Sequence, residues 1–76
     1  MTIHEQIAEI GGRFPGRVWR AEELVGAVVA EFGANGDSVV LSDHAYGNKS
    51  LNKYCPCVRN GAPLLHRIRD GEYRFN

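Results

Sequence analysis

The chain contains no apolar run near the roughly 18 residues that a membrane-spanning helix needs. It also lacks internal repeats, low-complexity tracts and linker-like stretches. There are only two cysteines, Cys55 and Cys57. With Pro56 between them they would close a very short and restricted loop, so reduced thiols are expected rather than a disulfide framework. The start, "MTIHEQIAEI", has neither a basic n-region nor an apolar h-region, and the expectation is a cytoplasmic protein. Net charge is zero, which disfavours strong non-specific attachment to nucleic acid.

What remains is ordinary for a globular domain: 43% hydrophobic and 24% charged residues in a chain of 76. That length makes one domain, residues 1–76, and buries only about 60% of the unfolded surface, so the core is marginal. Charge is unevenly spread. Residues 1–43 carry three arginines against seven carboxylates, whereas residues 44–76 carry six basic side chains against Asp70 and Glu72. The halves are therefore −4 and +4, and one basic face on a neutral molecule is expected.

Ile3, Ile7, Ile10 and Phe14 recur at helical spacing, and Thr2 with Glu5 has the form of a capping box. This predicts a first helix over about residues 3–12, weakened by Gly11-Gly12 and ended by Pro15-Gly16. The segment "RVWRAEELVGAVVAEFGANG" predicts a second helix with Leu24, Val25, Val28, Val29 and Phe32 on its apolar face. Glu22 and Glu23 suit its positive N-terminal end and Gly33 suits its stop. Gly26 marks either a close helix crossing or a solvent-facing site, and Val18 and Trp19 before the helix suit a short extended segment in which both anchor the core.

The ending, "PLLHRIRDGEYRFN", is a hairpin signal around Asp70-Gly71, the pair favoured in a two-residue type I′ turn. That turn pairs Ile68 with Tyr73, Arg67 with Arg74 and His66 with Phe75. Alternation then puts Leu64, His66, Ile68, Tyr73 and Phe75 on the core face, and Leu65, Arg67, Arg69, Glu72 and Arg74 outside. Between helix and hairpin, "SVVL" fits a short strand or the first turn of a third helix, and "KSLNKY" another helical turn. The expected core is Ile3, Ile7, Ile10, Trp19, Leu24, Val25, Val28, Phe32, Ile68, Tyr73 and Phe75.

Helix, extended segment, helix, third segment and hairpin is the order of an α+β winged-helix domain with two or three helices and a C-terminal β-hairpin. The stretches "SVVLSDHAYGN" and "PLLHRIRDGEYRF" resemble a group of small winged-helix-like domains of bacterial and phage proteins, some fused to restriction-type nucleases. The resemblance spans roughly residues 36–76. It implies that the third segment is a recognition element and that the hairpin is the wing.

Several chemistries compete for these residues. A zinc set of His44, Cys55, Cys57 and His66 has the right ligand types, but C-x-C with two distant single histidines departs from the usual paired spacing, so no metal or other cofactor is expected. Catalysis needs an oriented cysteine–base pair or clustered carboxylates, and the sequence offers neither, so the protein is not expected to be an enzyme. DNA contact fits better: Arg67, Arg69 and Arg74 on the hairpin, with Ser42, His44, Tyr46, Asn48, Lys49, Asn52 and Lys53 beside it. The alternative is a protein-interaction module, an inhibitor or adaptor of a larger nucleic-acid-processing or phage-defence complex. Asp37 and Asp43 suit that partner better than they suit DNA, and a homodimer would supplement the small core.

Overall fold

The computed structural model describes residues 1–46, 57 and 61–76. Helix α1 runs from Ile3 to Arg13 and is closed at its start by the capping box the sequence predicts. The Glu5 backbone N–H donates to Thr2 Oγ1 at 3.1 Å, and the Thr2 N–H donates to Glu5 Oε1 at 2.8 Å. The helix continues through both glycines instead of weakening at them. Gly11 is buried, and a Cβ there would lie 2.2 Å from Cε1 of Phe75, so its bare backbone seats that ring. Gly26, by contrast, faces open space, which excludes a close helix crossing at that position.

Strand β1, Val18–Arg20, leads directly into α2, Ala21–Phe32. The expected core anchoring of this segment holds for the buried Trp19 but not for Val18, which lies 49% exposed on the outer face of the sheet. The turn of the hairpin supplies part of the α2 cap, since the Ala21 N–H donates to the Gly71 carbonyl at 2.8 Å. Gly33 ends the helix in the left-handed region, φ 67°, with its N–H on the Val29 carbonyl. No third α-helix follows in the described part of the connection. Two 3-10 turns, Gly36–Ser38 and Leu41–His44, occupy it, the first capped by Asn35 Oδ1, which accepts from the Asp37 N–H. "KSLNKY" lies outside the described residues.

A two-residue strand β2, Ala45–Tyr46, then pairs parallel with β3, Leu65–Arg69, which turns into β4, Glu72–Phe75. The sheet order is β1-β4-β3-β2, antiparallel except for the β2 edge. The helices cover one face. Ile7, Ile10, Leu24 and Val28 meet Trp19, Leu65 and Tyr73 there, with Val39, Leu41 and Ala45 filling in from the connection. This small α+β fold is compatible with a winged-helix-like domain. Among the described residues, no helix is long and apolar enough to cross a membrane.

The hairpin differs from the sequence expectation by one residue. Arg69 pairs with Glu72, but Arg67 then pairs with Tyr73, His66 with Arg74 and Leu65 with Phe75, leaving Ile68 as a bulge. A type I′ turn needs positive φ at both central residues, and only Gly71 has it, at 76°. Turns of the unprimed kind match the strand twist poorly, and the bulge restores it. Leu65 consequently enters the core at 0% exposure and Ile68 leaves it at 38%. Arg67 moves to the face of Tyr73, whereas His66 turns outward beside Arg74.

Candidate functional site

The bulge breaks up the expected three-arginine face. Because Arg74 pairs with both Val18 and His66, and Glu72 with both Arg20 and Arg69, alternation gathers Val18, Arg20, His66, Arg69, Glu72 and Arg74 on the outer face. Arg20, His66, Arg69 and Arg74 are all exposed. Arg20 was not among the expected contacts, and its signal was its position two residues after Val18 on a strand that pairs with β4. Arg69 Nε holds Glu72 Oε1 at 2.9 Å, and Arg67, on the other face, pairs with Asp70 across the turn. A shallow depression at the hairpin tip is lined by Arg20, Glu22, Asp70, Gly71 and Glu72, so carboxylates outnumber the single arginine there. Positive character on this face is thus concentrated away from the tip, around Arg74, with His66 beside it.

Of the remaining expected contacts, Ser42 lies in the second 3-10 turn and Tyr46 is the parallel register partner of His66. Asn48, Lys49, Asn52 and Lys53 lie outside the described residues. His44 is a correction. At 4% exposure it is part of the interior and offers nothing to a partner at the surface.

Its surroundings are the second feature of the site. His44 Nδ1 lies 3.2 Å from Nδ1 of His4, in the first turn of α1, and 3.7 Å from Sγ of Cys57. The two imidazole rings are tilted by 60° with centroids 5.1 Å apart. One ligand-capable atom from each of the three residues lies within 4.8 Å of the others. Each has a distinct anchor: the capped helix start carries His4, and the junction of the second 3-10 turn with β2 carries His44. Cys57 is buried, and its carbonyl accepts from the Ala62 N–H at 2.8 Å.

This cluster shares only His44 and Cys57 with the ligand set considered from sequence. His66 is on the exposed sheet face and is not part of it, and Cys55 lies outside the described residues. Sequence reasoning missed His4, which sits between Ile3 and Ile7 on the apolar stripe of α1. A histidine on a stripe aimed at the core was the available signal.

No curated protein and no solved structure matches the chain. One family model does, over residues 2–76, described as a domain of unknown function, DUF7225, and the chain belongs to that family.

Proposed function

We propose that the protein is a non-enzymatic, cytoplasmic DNA-binding or DNA-associated module that meets the duplex with the outer face of its sheet. The observation that carries this reading is the exposed group of Arg74, His66, Arg20 and Arg69 on one face of a winged-helix-like hairpin. Surface ion pairs such as Arg69–Glu72 hold little free energy, so a phosphate can replace the carboxylate at small cost. Ser42, Tyr46, Asn48, Lys49, Asn52 and Lys53 supply the flanking contacts in this reading, whereas Arg67, on the opposite face of the sheet, is no longer among them. Phosphate contacts of this kind position a protein and make its affinity salt-dependent.

A salt series of binding to a labelled duplex tests the reading, with wild type, Arg74→Ala and the Arg20→Ala/Arg69→Ala pair. Each phosphate contact removed should flatten the slope of log affinity against log salt by about 0.9. Absence of binding by wild type at low salt, or identical slopes in all three proteins, overturns it.

One observation favours the second reading, a protein-interaction module that serves as an adaptor or inhibitor in a bacterial or phage nucleic-acid-processing complex. The hairpin tip is mixed rather than basic, with Glu22, Asp70 and Glu72 near Arg20, and two apolar side chains elsewhere on the sheet, Val18 beside Arg74 and the bulged Ile68, are exposed at 49% and 38%. Such a surface suits the polar rim and apolar anchors of a protein interface. Loss of partner capture on Val18→Asp or Ile68→Asp, with DNA binding absent, would select it.

A further inference from the structure

We infer that His4, His44 and Cys57 form a zinc-binding site that ties the start of α1 to the β2 junction and to the Cys57 segment. The first support is metric. Zinc about 2.0–2.1 Å from imidazole nitrogen and about 2.3 Å from thiolate sulfur, at tetrahedral angles, sets two nitrogens about 3.3 Å apart and a nitrogen and a sulfur about 3.6 Å apart. The separations here are 3.2 Å for the two Nδ1 atoms and 3.7 Å for Nδ1 to Sγ. Both edges that meet at His44 thus have the spacing of vertices around one centre, and the third, between His4 and Cys57, closes the triangle within 4.8 Å.

The second support is the valence of the imidazole nitrogen. Nδ1 of His44 has either one hydrogen or one in-plane lone pair, so it makes a single good hydrogen bond. Yet it lies at contact distance from both His4 and Cys57. One hydrogen bond at this nitrogen engages one of these two neighbours. A cation at the common focus satisfies all three atoms, with Cys57 as thiolate and both histidines neutral.

Donor type selects the ion. Two imidazoles and a thiolate suit zinc, whereas oxygen ligands would be needed for calcium or magnesium. Burial of His44 and Cys57 points to a structural role, and so does the economy of the fold. The ligands are separated by 40 and 13 residues, so one ion constrains most of a chain whose core is small. Zinc binding displaces the thiol proton of Cys57, and affinity should therefore fall as pH is lowered.

The test begins with unmodified protein. Full-length chain, stripped with chelator and titrated with Co²⁺, should develop visible d–d bands and a thiolate-to-cobalt charge-transfer band, both abolished by one equivalent of Zn²⁺. Chelator should lower the melting temperature and zinc should restore it. Cys57→Ser should lose the charge-transfer band. His4→Gln, at a half-buried position, should keep the helical circular dichroism and bind zinc more than about 100-fold less tightly, since losing outer partners alone costs 10–100-fold. Overturning results are a wild type with no cobalt spectrum and a melting temperature indifferent to chelator and zinc, or zinc binding unaffected by both substitutions.

Discussion

The stretch from Thr2 to Gly33 and the stretch from Asn35 to the C-terminus were folded by different kinds of rule. In the first, the helices and their ends depend on neighbours within a turn or two: Thr2 with Glu5, the apolar stripes, and Gly33 with Val29. Its long-range features are the pairing of β1 with β4 and the seat of Phe75 at Gly11. Among the described residues of the second, placement depends on partners far along the chain. Ala45 lies beside Leu65, Leu65 opposite Phe75, and His44 against His4. Local stereochemistry can be read from spacing, whereas long-range register depends on one bulge that spacing does not announce.

The sharpest way to break this comparison is a pair of truncations in β3. Leu65→Ala should cost about 2–5 kcal/mol, because a fully buried leucine leaves a cavity. Ile68→Ala should stay within about 1 kcal/mol, as expected of a bulged and partly exposed residue. Denaturant melts of the two variants measure the difference. A hairpin without the bulge predicts the reverse order, so the larger loss falling on Ile68 would refute the register described above.

That pair also explains how much was legible. Ile7, Ile10, Leu24, Val28 and Tyr73 were placed in the core from periodicity and Trp19 from a short extended segment, and all six are buried there. Ile68 was misplaced because alternation propagates one register error to every later residue of a strand. Val39, Leu41 and Ala45 were missed because short 3-10 turns and a two-residue strand offer no apolar period long enough to detect. At the candidate site, Arg69 and Arg74 were legible from the hairpin, whereas Arg20 joins them only once β1 and β4 are paired. His4 and His44 are brought together only by tertiary packing, so the spacing of C-x-C and single histidines carried no trace of their meeting.

Two glycines sharpen the comparison within the helical region, with effects of opposite sign. Gly11→Ala should destabilise by about 1–3 kcal/mol, because the new methyl group would overlap the Phe75 ring. Gly26→Ala should stabilise by up to about 1 kcal/mol, since the methyl group enters open space and alanine is the better helix former. Sequence treats both as helix-weakening residues. Only the long-range approach of β4 to α1 separates them, and thermal melts showing the same sign for both would remove Gly11 as the seat of Phe75.

The smallest expected effect tests the most local feature. The backbone N–H of Thr2, followed by its hydroxyl, holds the Glu5 carboxyl below its ordinary value, and the Arg13 guanidinium does the same for Glu31. A carboxyl with a lower pKa when folded than when unfolded adds stability above the unfolded value, about 4.3. That contribution disappears as pH falls through the folded value, where the folded carboxyl takes up its proton. Melting temperature should therefore decline from pH 6 toward pH 3, and Glu5→Gln should decline less steeply while differing little at low pH. Both carboxylates are exposed, so the difference is modest and screened by salt. Parallel profiles for wild type and variant would mean that the capping box, although formed, contributes nothing that depends on the charge of Glu5. The helix start would then owe its stability to the neutral hydrogen bond from the Glu5 N–H to Thr2 and to the burial of Ile7 and Ile10.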